Sequence, residues 1–211
     1  METDRVDSMA DILAERVRQA ALKARPALTM QNKTAAPQAK ARQLPEGYEF
    51  ADWAQVRQGE QVLQLLKAVH ADAAWPLYIY GNPGSGKTCI AALIYERCTR
   101  RPMWSRADDF LLEYVDRGDG RKALQSKVKG TPCLFLDDLG VRPPTPPMLQ
   151  AIFDVLEMRK GRPVVIVSNH DLRKLSEIYD ERIVSRLSAG TVLEIRGQDR
   201  RRNTGRKMRI E

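Results

Sequence analysis

The eight residues GNPGSGKT, from Gly81 to Thr88, restrict the possible folds of this chain more than any other stretch. A glycine, four residues and then Gly-Lys-Thr form the pattern of a phosphate-binding loop that connects a strand to a helix. Glycines adopt backbone angles that other residues avoid, and they let amide groups come close to an anion. The amides of the loop and the N-terminal end of the following helix then attract phosphate groups. The pattern therefore predicts a nucleotide-binding site at this point of the chain.

The segments on both sides of the loop support this prediction. Leu77 to Tyr80 is a short apolar run that predicts a buried strand, and Cys89 to Tyr95 predicts the beginning of a buried helix. A tight glycine turn without a ligand is the alternative, and it does not explain why a strand precedes the loop and a helix follows it. The predicted nucleotide-binding residues are Gly81, Asn82, Pro83, Gly84, Ser85, Gly86, Lys87, Thr88 and Cys89.

Two carboxylates follow a second apolar run, Cys133 to Leu136. Such a run predicts a buried parallel strand, and active sites of parallel sheets form where the strands end. We expect Asp137 to bind Mg²⁺ together with the Thr88 hydroxyl, and Asp138 to orient and polarise a water molecule. Lys87 would neutralise the β- and γ-phosphates of ATP. The alternative is a strand that ends in a turn, with both acids merely solvating it.

Strands and helices alternate along the rest of the chain. Apolar, β-rich segments occur at residues 77–80, 102–105, 133–136, 164–167 and 191–195. Helical patterns separate them, which predicts an α/β fold, a three-layer sandwich in which a five-stranded parallel sheet carries helices on both faces. The fourth segment ends at Ser168 and Asn169, which places further polar groups at the same edge of the sheet as Asp137.

The composition indicates a soluble protein of the cytoplasm. No apolar run approaches the ~20 residues of a membrane span, and acidic residues stand where a signal peptide carries basic ones. The three cysteines, Cys89, Cys98 and Cys133, lie in apolar segments without metal-binding spacing, which is typical of reduced thiols. We therefore expect a cytoplasmic protein without a membrane partner.

Excess positive charge predicts a polyanionic partner. The formal net charge is +8, and residues 196–211 include seven basic side chains against two acidic ones. A terminal basic cluster favours contact with nucleic acid over a role in solubility alone. DNA is the expected partner, as a single strand in the first instance, with a duplex left open. The basic segment from Arg117 to Lys129 is a second candidate DNA surface, and a solvated helix and loop is its alternative.

The N-terminal part of the chain differs from the rest in composition. Residues 1–25 predict an amphipathic helix whose apolar stripe includes Val17. Residues 26–47 are rich in Ala, Gln, Lys and Pro and predict a flexible linker. A frayed terminus needs no apolar stripe, so we expect the helix to dock on a partner protein. Residues 48–197 would form the ATPase core, and residues 198–211 a basic tail.

Four motifs occur in one order along the chain: GNPGSGKT, LFLDDLG, VVIVSNHD and DERIVSRL. Together they resemble the AAA+ ATPases, most closely the DnaC/IstB-type group of replicative helicase loaders and transposition helper ATPases. The resemblance implies ATP hydrolysis with Mg²⁺ and head-to-tail assembly of identical subunits. By position, it implies that Asn169 senses the γ-phosphate. It also implies that Arg186 is an arginine finger for the nucleotide of a neighbouring subunit, with Arg182 on the same face.

The resemblance leaves two related functions open. A replicative helicase loader would bind the helicase through the N-terminal helix and act in DNA replication. A transposition helper would coat DNA and recruit a transposase. Two other classes fit less well: a small-molecule kinase would have no use for Asn169 or Arg186, and a nucleotide-gated adaptor would bind ATP without hydrolysing it.

Two features depart from the AAA+ pattern. Asp138 stands where most members have glutamate, which shortens the side chain by one methylene and slightly favours the adaptor. Sixteen residues follow Ile195, too few for the helical lid domain that many AAA+ proteins carry. We therefore expect no C-terminal lid, with Arg200 or Arg201 as candidates for the arginine that a lid would supply.

Overall fold

The computed structural model of the protein describes residues 45–197, except residues 50, 57, 58, 73, 99, 100 and 117. Several predictions concern parts of the chain beyond these residues. They are the N-terminal helix (1–25), the linker up to residue 44 and the basic tail (198–211), which includes Arg200 and Arg201.

Five parallel strands form a sheet, which confirms the predicted fold class. The strands are β1 (Leu77–Tyr80), β2 (Met103–Arg106), β3 (Leu134–Leu139), β4 (Val164–Ser168) and β5 (Thr191–Glu194). Their order across the sheet is β2-β3-β4-β1-β5. The three predicted site segments lie at or just after the C-terminal ends of β1, β3 and β4, which are the interior strands. Asp137 and Asp138 lie inside β3, which extends beyond the predicted apolar run to Leu139.

Seven α-helices lie in the described part of the chain. They are α1 (Gly59–Ala71), α2 (Lys87–Arg97), α3 (Ala107–Val115), α4 (Asp119–Gly130), α5 (Pro146–Met158), α6 (Leu172–Ile178) and α7 (Glu181–Ser188). A 3-10 turn, Trp53–Gln55, precedes α1. Among these helices, none has both the length and the apolar character that crossing a bilayer requires.

The side chains of the strands alternate between two hydrophobic clusters, one on each face of the sheet. On one face, Leu134 and Leu136 pack with residues of α3 to α7. On the other face, Phe135 packs with residues of α1 and α2. The sheet is therefore covered by helices on both faces, as the alternation of strands and helices predicts.

The start of α5 is defined by two prolines rather than by a side-chain cap. Thr145 is the residue before the helix, and Pro146 is the first helical residue. The Thr145 side chain forms no capping hydrogen bond. A capping oxygen accepts from the second or third amide of the helix, and the second helical residue here is Pro147, which has no amide hydrogen. The fixed φ angles of the prolines, rather than a side-chain cap, therefore define where α5 begins.

Candidate active site

Residues 81–86 form the loop between β1 and α2, where the sequence predicts phosphate binding. α2 begins at Lys87, and Gly86 before it has a φ of 96° and offers no side-chain cap. The first amide groups of a helix have no carbonyl partner within the helix. Together with the helix dipole, these amides favour an anion at the start of α2.

Lys87 is almost fully buried beside this loop, with 5% of its surface exposed. Its Nζ atom donates a hydrogen bond of 2.8 Å to the carbonyl oxygen of Asn82. This contact folds the lysine side chain back across the loop, so its charge is held close to the loop amides. The geometry fits the phosphate-neutralising role expected of Lys87.

The Ser85 hydroxyl gives an independent test of whether the loop fits a bound phosphate. Ser85 is buried, and its Oγ atom has no hydrogen-bond partner among residues 45–197 as described. A buried hydroxyl without a partner costs free energy, and most such groups in proteins are paired. A phosphate oxygen would complete the bonding of Ser85, so this residue fits an anionic ligand at the loop.

Gly81 and Gly86 both have a positive φ, and Gly81 has a second reason to be glycine. A Cβ atom on Gly86 would have no neighbour within 4 Å, so its positive φ is what requires glycine. A Cβ atom on Gly81 would lie 2.1 Å from the carbonyl oxygen of Ile195. Gly81 also has a positive φ, of 152°, so both its conformation and the close approach of the segment after β5 require glycine.

Thr88 and Asp137 are adjacent, at the start of α2 and near the end of β3. Thr88 Oγ1 donates a hydrogen bond of 3.1 Å to Asp137 Oδ1, and the Asp138 amide donates one of 3.0 Å to the same oxygen. Mg²⁺ in nucleotide sites takes one or two protein oxygens and completes its shell with water and phosphate. The pair fits such an ion. Within the described ranges, no group of three or more His, Cys, Asp or Glu side chains could hold a metal.

The electrostatic environment of Asp137 agrees with a metal ligand. Asp137 is 4% exposed. Its burial and, second, the charge of Asp138 raise the pKa of its carboxyl group to about 6, against the opposing effect of the hydrogen bonds from Thr88 and the Asp138 amide. A nearby cation favours the ionised form of a carboxyl group. A divalent ion between Asp137 and Thr88 would therefore offset the cost of burying this charge.

Asp138 has a left-handed backbone conformation, with a φ of 58°. The register between β3 and β4 shifts between Leu136 and Leu139, so β3 is irregular here. A non-glycine residue in this conformation costs about 1–2 kcal/mol, and aspartate tolerates it better than most. Strain of this kind is concentrated at functional sites. The conformation gives a physical reason for aspartate, rather than glutamate, at this position.

The loop after β4, which carries Asn169, is tied to the end of β3. Ser168 Oγ donates a hydrogen bond of 2.7 Å to the Leu139 carbonyl and accepts one of 3.1 Å from the His170 amide. His170 Nε2 lies 3.2 Å from the carbonyl oxygen of Gly140. Asn169 is half-buried between these two anchored neighbours. The proposed sensor residue is therefore held by the backbone of the adjacent strand end.

Three residues at this edge escape sequence analysis: His170, Tyr78 and Tyr48. The Tyr78 hydroxyl donates a hydrogen bond of 2.8 Å to the His170 carbonyl. The Tyr48 hydroxyl bonds to Thr88, and burial, followed by the charge of Asp137, raises the pKa of Tyr48 above its usual value. His170 lies in the motif VVIVSNHD, but sequence analysis assigned it no role, and Tyr78 and Tyr48 belong to no motif. An aromatic residue at the start of the globular segment is the one signal that points to Tyr48.

The two arginines expected to reach a neighbouring nucleotide lie on one face of α7 and pack against α5. The Arg186 guanidinium lies 4.0 Å from the centroid of the Phe153 ring, and that of Arg182 lies 5.0 Å from it. Arg186 Nε also forms an ion pair with Glu157. In the described part of this chain, Arg186 contacts α5 and its own helix. The structure therefore does not bring Arg186 and Lys87 together within one copy.

α4 carries most of the basic segment predicted as a second DNA surface. Lys122, Lys127 and Lys129 are exposed on it. Arg121 is half-buried, with its guanidinium 5.6 Å from the centroid of the Tyr114 ring. The helix therefore presents a solvated basic face, which is compatible with either interpretation of the segment.

The arrangement of strands and site residues defines the class of protein. A parallel sheet with the order β2-β3-β4-β1-β5, a phosphate loop after β1 and two acids near the end of β3 is that of a P-loop NTPase of the AAA+ type. The family model described as IstB-like ATP binding protein matches residues 3–206. The chain belongs to this family of ATP-binding proteins, which confirms the resemblance to DnaC/IstB-type AAA+ ATPases.

Curated relatives connect the chain to replication initiators. The chromosomal replication initiator protein DnaA of Streptococcus agalactiae is 26% identical over 171 residues, which is 74% of this chain and 37% of that protein. DnaA of Mycoplasma pneumoniae is 30% identical over 134 residues, which is 57% of this chain and 30% of that protein. The chain thus spans about a third of the length of the curated relatives that it matches.

Solved structures share the fold. The DnaC helicase loader matches with a TM-score of 0.60 and 22% identity, over 72% of this chain and 99% of that one. DnaI matches with a TM-score of 0.60 and 20% identity, over 74% and 94%. AMPPCP-bound DnaA from Aquifex aeolicus matches with a TM-score of 0.56 and 24% identity, over 66% and 47%. At these identities the similarity establishes the fold alone.

Proposed function

We propose that the protein binds ATP with Mg²⁺ and hydrolyses it slowly, assembles head to tail with further copies of itself, and loads a replicative DNA helicase in the cytoplasm. The ATPase part rests on one observation above all. Thr88 is bonded to Asp137 at the start of α2, and Asp138 follows in a strained conformation. A metal ligand pair and a candidate water-orienting acid thus lie next to the phosphate loop.

Each residue has a separate task in this mechanism. Lys87 and the loop amides bind the phosphates, while Thr88 and Asp137 hold Mg²⁺, which when bound supplies positive charge to the phosphate oxygens. Asp138 accepts a hydrogen bond from the attacking water and orients it. Asn169, just after the end of the neighbouring strand β4, would contact the γ-phosphate and help to position the same water.

Arg186 is proposed to act on the nucleotide of a neighbouring copy. In its own copy its guanidinium is held on α5. An arginine finger supplied by another subunit is worth about 10³–10⁵ in rate in other P-loop proteins. Head-to-tail assembly of this chain would place such a finger at each shared site, in agreement with the pattern that the family resemblance implies.

Mixing two inactive variants tests the ATPase and the assembly together. Lys87→Ala subunits lose ATP binding but keep the arginine, whereas Arg186→Ala subunits bind ATP but lack the finger. Mixed assemblies should hydrolyse ATP at a rate that neither variant reaches alone, as measured by phosphate release. The head-to-tail proposal fails if mixtures that demonstrably co-assemble show no recovery.

The DNA contact and the helicase contact are proposed from similarity and from the layout of the chain. One structural neighbour is described as a helicase loader, and another is DnaA bound to single-stranded DNA. We assign helicase binding to residues 1–25, and DNA binding to residues 198–211 together with α4. Removal of residues 200–211 should lower the salt dependence of DNA binding by about one log–log unit per lost phosphate contact. An unchanged slope would leave α4 as the DNA surface.

A transposition helper is the second candidate, because the matching family is that of IstB-like proteins. The two functions share the ATPase core and differ in the partner of residues 1–25. Purified replicative helicase and purified transposase from the same source, each tested for binding to the full chain and to its Val17→Asp variant, separate them. Binding of the helicase alone supports the loader, and binding of the transposase alone supports the helper.

A further inference from the structure

The surface between α5 and α7 consists of two pairs of residues, each one helical turn apart. Phe153 and Glu157 lie on one face of α5, and Arg182 and Arg186 lie on the facing side of α7. Both guanidinium groups are within cation–π distance of the single Phe153 ring, at 4.0 Å for Arg186 and 5.0 Å for Arg182. Side chains of α5 therefore determine where both arginines lie.

The guanidinium of Arg186 is fixed in more than one direction. Its Nε atom bonds to the Glu157 carboxylate, and its Nη1 atom donates a hydrogen bond of 2.9 Å to the Arg182 carbonyl oxygen. The Phe153 ring supports its flat face. Its Nη2 atom has no hydrogen-bond partner in the parts of the chain that the structure describes, and 32% of the side chain is exposed. One amino group thus remains available to an external acceptor.

Arg182 is held in a different way. Its Nε and Nη2 atoms both bond to the carboxylate of Asp180, at distances of 2.9 to 3.1 Å, and Asp180 also caps α7 by accepting from the Arg182 amide. The bidentate pair neutralises Arg182 locally, on its own helix. Arg186 is ion-paired as well, but Glu157 lies on α5 and bonds only its Nε atom, so Arg186 is the arginine that α5 positions while one amino group is left for an external anion.

We infer that Phe153 and Glu157 are positioning residues, which hold the Arg186 guanidinium of one copy ready for the nucleotide bound by the next. This inference rests on the proposed arginine finger. A free arginine side chain loses several rotatable bonds of freedom when it binds a phosphate, and a side chain that is already ordered loses less. Without the two α5 residues, Arg186 would reach the same place less often, which lowers kcat by about tenfold.

The mixing experiment isolates this effect when the changes are made only in the subunit that supplies the arginine. One kind of subunit carries Lys87→Ala together with either Phe153→Leu or Glu157→Gln. It is mixed with subunits that carry only Arg186→Ala, whose own α5 is unaltered. We expect kcat of the mixture to fall about tenfold, while KM for ATP stays the same, because the ATP-binding subunits are unchanged. Phe153→Tyr keeps the aromatic face and should restore kcat.

Asp154→Asn in the same subunit is the matched control. Asp154 lies on α5 beside Phe153, and its carboxylate bonds to Gln150 rather than to an arginine. Asp154→Asn should leave kcat at the value of the reference mixture, which contains only Lys87→Ala and Arg186→Ala subunits. Full kcat with both Phe153→Leu and Glu157→Gln would overturn the inference and leave the arginine finger in place. An equal loss with Asp154→Asn would also overturn it, since general disturbance of α5 would then explain the effect. A reference mixture without recovery would overturn the finger and the inference together.

Discussion

A buried cation lies at each end of the strands of the sheet, and the surroundings of the two cations differ. Lys87 lies where the strands end, and Arg159 lies where the strands begin, with 1% of its surface exposed. The two Nη atoms of Arg159 donate four hydrogen bonds, to the carbonyl oxygens of Val128, Thr131, Pro132 and Pro163. These carbonyls belong to the last turn of α4 and to the loops that lead into β3 and β4. Arg159 thus joins three segments of the chain.

Burial lowers the pKa of Arg159 to about 10, so the group stays charged at neutral pH. Carbonyl dipoles stabilise this charge, and no ion pair with a carboxylate is formed by Arg159 within the described ranges. A structural cation of this kind is enclosed by groups of the protein itself. Its Nε atom is buried without a partner in the described chain, but both Nη atoms are enclosed by protein carbonyls, so its contribution is to stability.

The C-terminal ends of the strands have a different set of unsatisfied groups. Ser85 Oγ is buried without a partner in the described chain, burial raises the pKa of Asp137, and Asp138 has a strained backbone. Each feature costs free energy in the protein alone and is expected where a ligand supplies the missing contact. The difference teaches that buried charge by itself does not mark a site. What marks it is that an unpaired hydroxyl, a carboxyl group with a raised pKa and a strained backbone occur together beside the phosphate loop. Substitutions at the C-terminal ends of the strands should therefore change ATP hydrolysis, whereas substitutions at their N-terminal ends should change the stability of the fold.

The largest effect is expected for Asp138→Asn on hydrolysis. The amide is a much weaker base than the carboxylate, so kcat should fall by about 10²–10⁴. Asparagine tolerates the left-handed conformation as aspartate does, so the thermal midpoint and the Kd for ATP should stay close to those of the wild type. Phosphate release, nucleotide titration and thermal unfolding on the same preparations check this. A wild-type kcat would remove Asp138 from the catalytic residues, and a lower midpoint would show that this edge also supports the fold.

Arg159→Ala should have the opposite profile. Four hydrogen bonds at about 1 kcal/mol each are lost, so the free energy of unfolding should fall by about 4 kcal/mol, while the Kd for ATP is unchanged. Arg162→Ala is the control, because Arg162 is exposed and donates a single hydrogen bond, of 2.7 Å, to the Lys129 carbonyl. It should cost about 1 kcal/mol or less. Denaturant unfolding measures both, and weaker ATP binding by Arg159→Ala at full stability would erase the distinction between the edges.

Local patterns in the sequence were sufficient to predict the residues at the C-terminal ends of the strands, and they were insufficient to predict the role of Arg159 at the N-terminal ends. The phosphate loop and Asp137 belong to contiguous motifs, because one loop must wrap one ligand. Arg159 stands in an ordinary run, MRKGR, and its partners come from segments that meet only in the fold. The pair of Glu157 and Arg186 is hidden for the same reason, since its members lie on different helices.

Backbone geometry was a second limit of prediction. The alternation of strands and helices was enough for the parallel sheet and its two covered faces. The left-handed φ of Asp138 was not visible, because it depends on how β3 shifts its register against β4. The contact of Gly81 with Ile195 likewise needs the order of the strands. A motif indicates which residues are present, and the packed sheet determines why each one is required.

The pH dependence of stability tests the free-energy cost of burying the Asp137 carboxylate. Burial raises the pKa of Asp137 to about 6, above its usual value near 4, so the protonated form is favoured by folding. The resulting contribution, about 3 kcal/mol, is fully present below pH ~4 and is lost as the pH rises through about 6. Asp137→Asn should lack this loss, so its stability advantage over the wild type should grow between these values. Unfolding is measured with EDTA and without nucleotide. A difference that is independent of pH would mean that Asp137 is not strained by its charge.

The smallest effect on stability is expected for Ser168→Ala. This variant gives the sharpest test of the distinction between residues that support the fold and residues that act on a ligand. Ser168 is fully buried at the functional edge, yet its hydroxyl is satisfied within the chain, by the Leu139 carbonyl and the His170 amide. Loss of the two bonds should cost about 1–2 kcal/mol of stability.

Because Asn169 lies between these anchored neighbours, kcat should also fall, by about tenfold, with the Kd for ATP unchanged. Ser176→Ala is the matched control, since that exposed hydroxyl bonds only to the Arg173 carbonyl of its own helix, and it should change neither quantity. A full kcat with lower stability would show that Ser168 supports only the fold and does not help to position Asn169. A fall in kcat without a loss of stability would show that the Ser168 hydroxyl acts on the site rather than on the fold.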